Sequence, residues 1–526
     1  MDTNTIPELL AEGTQRFGDH LAVVDGDRRL TYRGLEDAVR TASAGFVGRG
    51  VEPGDRIAIW APNKLEFIVA LLGAQRIGAA VVPLNSRYRG YEAHSILARS
   101  RATALVVADG FLGTDYVTML QEAGEDREGP IVPGLPHLRV IIDIMASGNS
   151  DTTPWREFTD VDEAALDEAD RCAAAVEESA VSDILFTSGT TGSPKGVVTT
   201  QAQTILIGRT WARRASLSPS DRYAIISPFF HGFGYKAGIM AALTSGSTIY
   251  PVLTFDPVAV MHLVEAESIT VMPGAPTIFL TLIDHPRLAE FDLSSLRYAT
   301  AGATSVPDNL FQQMRDVLGF DTAAQAYGLT ECMVATQSRP DDDPLHIAQT
   351  TGPAVDGIEI RVVDAASNDV GTGEDGEVWL RGKTVMIGYF EDPEATAAAI
   401  DSDGWLHTGD VGRLDEHGCL KITDRMKDMF IVGGFNVYPA EVENAISTHP
   451  DVAEAAVVGI PDARLGTVAR AFVVPRHGTT VSETELTQWC TVRLANFKVP
   501  REFLVVDAFP RNASGKILKR ELQQDI

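Results

Sequence analysis

Short apolar runs of strand length alternate with amphipathic helical stretches as far as about residue 350, and this alternation restricts the fold more than any other feature of the chain. Residues 56–60, 79–83 and 104–107 read as strands. Between the first two, residues 64–76 place Phe67, Ile68, Ala70, Leu71, Leu72 and Ala74 on a wide apolar face, which predicts a helix. Residues 225–227, 248–250 and 270–272 continue the strands, with a helix over 257–267 before the last of them. Strands apolar on both faces and separated by helices belong in a parallel sheet covered on both sides. Residues 146–180 break the pattern, being rich in Asp, Glu and Ala without strand character, and read as a surface excursion. From about Thr351 short strands are punctuated by Gly352, Gly357, Gly371, Gly373, Gly376 and Gly382, which predicts a small β-barrel or sandwich over about 351–424. After Arg425 a compact α+β pattern follows: strands at 429–432, 455–458 and 471–474, and a helix opened by Pro439 over 440–447.

At 526 residues the chain exceeds one domain, since domains run to about 100–200 residues. Lys plus Arg number 44 against 72 Asp plus Glu, a net charge of −28. A field of that sign repels nucleic acid and anionic membrane. An anionic substrate must therefore be held by a few placed cations and backbone N–H groups. Cys172, Cys332, Cys419 and Cys490 form no CxxC pair, which speaks against a disulfide framework or zinc ribbon and suits a reducing cytoplasm. Glu8, Glu12, Arg16 and Asp19 interrupt the N-terminal apolar positions, so no signal peptide is expected there. The apolar stretch 67–84 is broken by Gln75 and Arg76, short of the ~20 residues a membrane span needs.

The densest chemical signal is Thr187-Ser-Gly-Thr-Thr-Gly-Ser-Pro-Lys-Gly196, directly after the apolar run 184–186. Glycines and small hydroxyls let N–H and O–H groups approach a polyphosphate, and Lys195 adds a point charge. Pro194 before the lysine and Gly196 after it exclude a Walker A loop, which needs Gly-Lys-Ser/Thr running into a helix. A merely flexible Gly/Ser loop is disfavoured by the strand before it.

This segment resembles the phosphate loop of the adenylate-forming superfamily, which includes acyl-CoA synthetases, nonribosomal adenylation domains and beetle luciferases. Tyr327-Gly-Leu-Thr-Glu331, Gly404-Trp-Leu-His-Thr-Gly-Asp410, Asp424-Arg-Met-Lys-Asp428 and Asn512-Ala-Ser-Gly-Lys-Ile517 resemble further motifs of that superfamily, in its order and at its intervals. Together they span the chain from about residue 30 onward. The resemblance implies attack of a carboxylate on the α-phosphate of ATP, giving an acyl-adenylate whose AMP a thiol then displaces. The first step brings two anions together, so cations must neutralise the developing charge.

By the same resemblance, Thr187, Ser188, Gly189, Thr190, Thr191, Gly192 and Lys195 hold phosphates, and Thr330 and Glu331 attend the α-phosphate. Mg²⁺, a hard cation that favours oxygen, falls to Thr187 and Glu331. Tyr327 corresponds to the ring beside adenine, with Gly302 and Ala303 also on the nucleotide, and Asp410 and Arg425 to the ribose contacts. Lys516 corresponds to the catalytic lysine bridging carboxylate and α-phosphate. Standing so far along the chain from the phosphate loop, it implies a unit that closes and must withdraw before the thiol can reach the same carbonyl. Lys427 takes the hinge position and Gly433-Gly434 the glycine pair along the CoA pantetheine tunnel, where a narrow arm runs close to backbone. His231, within Phe229-Phe-His-Gly-Phe-Gly-Tyr235, corresponds to the group bordering the acyl carboxylate; a satisfied structural histidine is the competing reading. Phe230 and His231 stand where amino-acid-activating relatives carry an Asp, which disfavours an amino-acid substrate. Pocket walls are expected from Phe230, Tyr235, residues 272–275 and 301–304, Ala326 and Met333. Ala326 departs from the Gly of many relatives, and Cys332 from the Thr or Ala that often follows the Glu; neither removes a catalytic group.

The expected architecture is α/β: a large N-terminal adenylation domain over 1–424 with two α/β subdomains and the β-barrel region, a hinge at 425–427, and a small mobile α+β domain over 428–526. The expected enzyme is an AMP-forming acyl-CoA ligase using a carboxylic acid, ATP, Mg²⁺ and CoA. Residues 227–239 and 422–443 are similar to bacterial ligases acting on the bicyclic propionate left by steroid ring degradation, and the small wall residues leave room for an acid bulkier than acetate. About ten residues follow Lys516, no room for a carrier domain, so a free thiol is the favoured acceptor. The alternatives are an acyl-AMP ligase that loads a separate carrier protein, and a regulatory nucleotide-binding relative, which would lack the catalytic groups seen here. The state of assembly, homodimer included, stays open.

Overall fold

The computed structural model describes residues 3–124, 131–187, 194–302, 310–340, 342–425, 430–437, 439–476, 478–510 and 519–522; of Thr423, Asp424, Arg425, Asn436, Ala440, Asn444, Arg520 and Glu521 only the backbone is described. Two layered α/β sheets carry the expected alternation. The first runs Gly388–Tyr389, Lys195–Thr200, Val181–Thr187, Ala80–Pro83, Arg56–Trp60, Ala104–Val107, Val140–Asp143, Thr153–Pro154. From Val181–Thr187 onward its strands are parallel, while the first two pair antiparallel. The second sheet runs Arg28–Thr31, Leu21–Asp25, Thr248–Pro251, Arg222–Ile225. It continues through bridges made by Val271 into Tyr298–Gly302, Thr322–Leu329 and Cys332–Gln337.

The helix Leu65–Arg76 is buried over its whole length up to Gln75, not on one face alone. It lies between layers, and Gly73 allows the helix Tyr32–Val47 to approach so closely that an added Cβ would stand 3.1 Å from Ala42 Cβ. Two expected strands shift. The run at 225–227 ends as a strand at Ile225, because Pro228 has no N–H to offer a ladder. At 270–272 only Val271 bridges its neighbours, with Pro273 following. The acidic stretch 146–180 holds the helix Glu163–Ala174, N-capped by Asp162, whose side chain accepts from the Ala165 N–H. Ala169 is fully buried, Phe158 packs edge-on against Phe46, and Asp170 pairs with Arg40 and Arg76. Its apolar face is built of alanines, which kept its hydropathy signal weak.

The Gly-punctuated region contains a four-stranded antiparallel sheet ordered Ile358–Val363, Gly376–Gly382, Leu406–Leu414, Leu420–Arg425. Beyond it a separate apolar core draws its buried residues from Val432 to Leu522. Its sheet holds the long hairpin Val452–Asp462 with Gly466–Pro475, the short hairpin Phe430–Val432 with Phe435–Val437, and the strand Glu502–Val505. The helix Pro439–Ser447 starts at the proline, where a missing N–H costs nothing. No helix among the described residues is long and apolar enough to cross a membrane.

Candidate active site

The strand Val181–Thr187 and the returning strand Lys195–Thr200 form an antiparallel hairpin with Thr187 opposite Lys195 at its mouth. Thr187 Oγ1 donates to the Lys195 carbonyl at 3.4 Å. Close packing demands Gly196: an added Cβ would meet Ile184 Cγ2 at 2.7 Å and Phe186 at 3.1 Å. Ser188, Gly189, Thr190, Thr191 and Gly192, the loop between these strands, lie outside the described residues, as do Ala303, Lys427 and Lys516.

Tyr389, on the short strand paired to Lys195–Thr200, draws two candidate groups together. Its hydroxyl donates to Glu331 Oε1 at 2.7 Å, and Lys195 Nζ lies 5.0 Å from its ring centre. The Glu331 backbone is fixed as well, its carbonyl accepting from Met386 N–H at 2.8 Å. A cation and a half-buried carboxylate thus flank one aromatic ring. Glu331 and Thr187 offer oxygen donors only, the set a small hard divalent cation takes. Thr330, also half-buried, directly precedes Glu331 in the turn after Thr322–Leu329.

A second set of candidate residues is equally organised. Gly302 pairs with Ala326 at the C-terminal ends of neighbouring parallel strands, where α/β sheets open a ligand crevice. Tyr327, the next residue, is buried and donates to Asp410 Oδ2 at 2.6 Å. Asp410 stands in register opposite Arg425, bringing those two positions together at the backbone. The Asp410 N–H donates to Thr408 Oγ1 at 3.1 Å, and that hydroxyl donates to the Val378 carbonyl at 2.7 Å. A carboxylate held this firmly suits a pair of vicinal hydroxyls.

His231 caps the short helix Gly232–Gly234. Its Nδ1 accepts from the Phe233 N–H at 3.2 Å, leaving Nε2 to carry the proton. The residue is exposed, yet surrounding protein desolvates it and lowers its pKa below the ordinary histidine value. With Nδ1 accepting, the neutral ring presents an Nε2–H that is a donor for an oxygen ligand. Met333 closes on the same place: a Cβ at Gly232 would stand 2.1 Å from Met333 Cε. Tyr235, expected on a pocket wall, is fully buried instead. Its hydroxyl accepts from the Gln75 amide at 2.5 Å and donates to Asp183 Oδ2 at 3.3 Å.

Asp183 belongs to a network that motif reasoning missed. Asp183 and Lys236, both 0% exposed, form an ion pair at 2.9 Å. Lys236 Nζ donates to Thr199 Oγ1 at 2.7 Å, and Thr204 Oγ1 donates to Asp183 Oδ2 at 2.8 Å. Asp183 and Thr199 sit on the two strands of the Val181–Thr200 hairpin, while Lys236 lies five residues after His231. A buried charge pair therefore fixes the His231 segment against that hairpin. Among the described residues, two groups of ligand-type side chains lie elsewhere, His346–Asp415–Cys419 and His449–Asp451–Glu485. In the first, Asp415 is already taken up by His346 Nε2 at 2.6 Å and by the N–H groups of His417 and Cys419. The second lies in the smaller core.

The turn Gly433–Gly434 joins strands with Val432 opposite Phe435, a two-residue hairpin that requires positive φ at both positions; they are 55° and 89°. An added Cβ on Gly434 would lie 3.6 Å from Ala275 Cβ, so the turn of the smaller core rests on the larger core at the segment 272–275.

Family models agree with this arrangement. The model for the AMP-binding enzyme matches residues 10–390, and that for the AMP-binding enzyme C-terminal domain matches residues 441–516. The chain belongs to the AMP-binding enzyme family. It is 47% identical over 525 residues, 99% of this chain and 98% of the relative, to a methyl-dioxo-octahydro-indenyl-propanoyl:CoA ligase of Rhodococcus jostii. To the ligase of the same name in Mycobacterium tuberculosis it is 48% identical over 524 residues, 99% of each chain. Among solved structures, o-succinylbenzoate CoA synthetase of Bacillus subtilis bound with a product analogue matches with a TM-score of 0.81 at 28% identity, covering 98% of each chain. The chain is an AMP-forming acyl-CoA ligase, which joins a carboxylic acid to CoA through an acyl-adenylate and uses ATP and Mg²⁺.

Proposed function

We propose that the acid is a bicyclic propionate of the kind left by steroid ring degradation. The observation that carries this reading is the full-length similarity, at 47% and 48%, to two ligases named for such an acid. The test is CoA-dependent AMP release across linear acids of short to long chain, aryl acids, and bicyclic propionates. Selective turnover of the bicyclic acids is expected; a preference for linear chains would overturn the substrate and leave the ligase activity standing.

In this reading Lys195, with the hydroxyl and backbone groups of residues 187–192, neutralises the triphosphate. Thr330 and Glu331 attend the α-phosphate, and Thr187 and Glu331 would hold Mg²⁺, which would screen charge between the reacting anions. Tyr327, with Gly302 and Ala303, bounds the adenine, and Asp410 accepts from both ribose hydroxyls with Arg425 opposite. Neutral His231 donates to the acid's carboxylate through Nε2–H. Lys516 bridges carboxylate and α-phosphate in the first step. The chain divides into a body over 1–424 and a smaller one over 428–526, turning about 425–427, so that the Gly433–Gly434 turn serves the thiol. Lys516→Ala is then expected to abolish ATP–pyrophosphate exchange while thioester formation from supplied acyl-adenylate persists; equal loss of both in a folded protein would sink the assignment. The reaction is placed in the cytoplasm, in keeping with four cysteines that are all free thiols.

A further inference from the structure

Lys498 is 2% exposed although it carries a charge, and its partners come from both bodies of the molecule. Its ammonium donates to Glu441 Oε1 at 2.6 Å within the smaller core and to Glu92 Oε1 at 2.9 Å in the larger one. These carboxylates hold the ammonium charged, with its pKa well above the ordinary lysine value in spite of burial. Glu92 is aimed beforehand: it stands in the first turn of the helix Gly90–Ser100, and its Oε2 accepts from the Arg89 N–H at 3.0 Å.

Aromatic rings surround the ion triad and connect it to the site. Lys498 Nζ lies 4.6 Å from the centre of the Tyr88 ring. The adjacent Phe497 stacks on Phe435 with ring centres 4.6 Å apart, and Arg87 covers Phe435 at 5.0 Å. Phe435 directly follows Gly433–Gly434, the turn that rests on Ala275. Residues 87–92 thus hold Phe435 and Lys498 together, and through Phe435 they fix where the glycine turn meets the larger core.

We infer that the Glu92–Lys498–Glu441 triad is a latch that selects the orientation in which the glycine turn serves the thiol step. Three features suit a latch better than a permanent weld. The Glu92 ion pair forms only where Lys498 and the helix Gly90–Ser100 meet in this geometry, so the triad defines one orientation sharply. When the bodies part, Glu92 returns to water and Lys498 keeps Glu441, so no charge is stranded. Glu441 Oε2, moreover, is buried without a hydrogen-bond partner among the described residues, a cost that opposes the closed seam and keeps it releasable. Lys498 and Glu92 are positioning residues: the ion pair acts through the turn.

The inference rests on assigning Gly433–Gly434 to the thiol step, and the test separates the two claims. Glu92→Gln keeps the acceptor for Arg89 and removes the charge that crosses the seam. Its rate of thioester formation from the supplied adenylate of the acid turned over fastest is expected to fall about fivefold or more, with ATP–pyrophosphate exchange unchanged or faster. Hydrogen exchange over residues 87–92 should quicken in parallel. Lys498→Met should shift the two half-reactions in the same sense; Glu92→Gln carries the test where Lys498→Met does not fold. Equal effects on both half-reactions, or none on either, would overturn the latch. Gly434→Val addresses the turn alone: it should block the thiol step even where Glu92→Gln is silent, and failure to do so would overturn the turn assignment and the latch with it.

Discussion

Tyr389 shows how a single hydroxyl organises the site. It gives Glu331 a fixed orientation, and its ring faces Lys195. Tyr389→Phe keeps the ring and removes the donor. A hydrogen bond to a charged group contributes about 1.5–3 kcal/mol. Glu331 stays partly solvated, so part of that is recovered from water. A fall of about three- to tenfold in ATP–pyrophosphate exchange is expected, with thioester formation from acyl-adenylate little changed. Comparing the two half-reactions in the purified variant checks this. No motif pointed to Tyr389, because its chemistry lies in a partner 58 positions away and not in its neighbours. Tyr327 and Asp410 were legible for the opposite reason: each stands in a distinctive run of small and aromatic residues. Their mutual hydrogen bond was not.

At the level of elements, the sheets divide their labour between two edges. The C-terminal ends of Tyr298–Gly302 and Thr322–Leu329 carry candidate ligand groups, while the N-terminal ends are tied down by Asp221. This buried carboxylate accepts from Arg297 Nε at 2.6 Å and Nη2 at 2.7 Å, from Thr270 Oγ1 at 2.8 Å and from the Ser218 N–H at 2.8 Å. Burial raises its pKa, but the hydrogen bonds from Arg297 and Thr270 outweigh that, and the net shift is downward. A carboxyl whose folded pKa lies below its unfolded value stabilises the fold above the unfolded pKa, about 3.9, and the contribution is lost as pH falls through the folded value. Asp221→Asn should therefore lower stability by about 2–3 kcal/mol at neutral pH. The gap to wild type should narrow below about pH 4, with the half-reactions at neutral pH intact. Urea midpoints at the two pH values decide it.

At the scale of the whole molecule, the alternation of strand and helix was readable because each element carries its own periodicity. So was the change to Gly-punctuated strands. What could not be read were pairings across the chain. Lys498 and Glu92 are 406 residues apart, and neither sits in a motif. Asp183 and Lys236 look, in isolation, like surface charges, and only packing brings them together inside. The helix Glu163–Ala174 was hidden by composition: alanine buries too little apolar surface to stand out among acids.

The seam at Ala275 has one more implication. The glycine turn that rests on this point belongs to the smaller core, so under the proposed turning of the two bodies that contact exists only while they touch. An acyl-adenylate is a mixed anhydride, open to attack by water as well as by a thiol. Each interval in which the bodies stand apart is an interval in which the intermediate can be hydrolysed, consuming ATP without making thioester. In the proposed latch, the strength of the contact at Lys498 would set more than the speed of the second step: it would set how tightly ATP consumption is coupled to product.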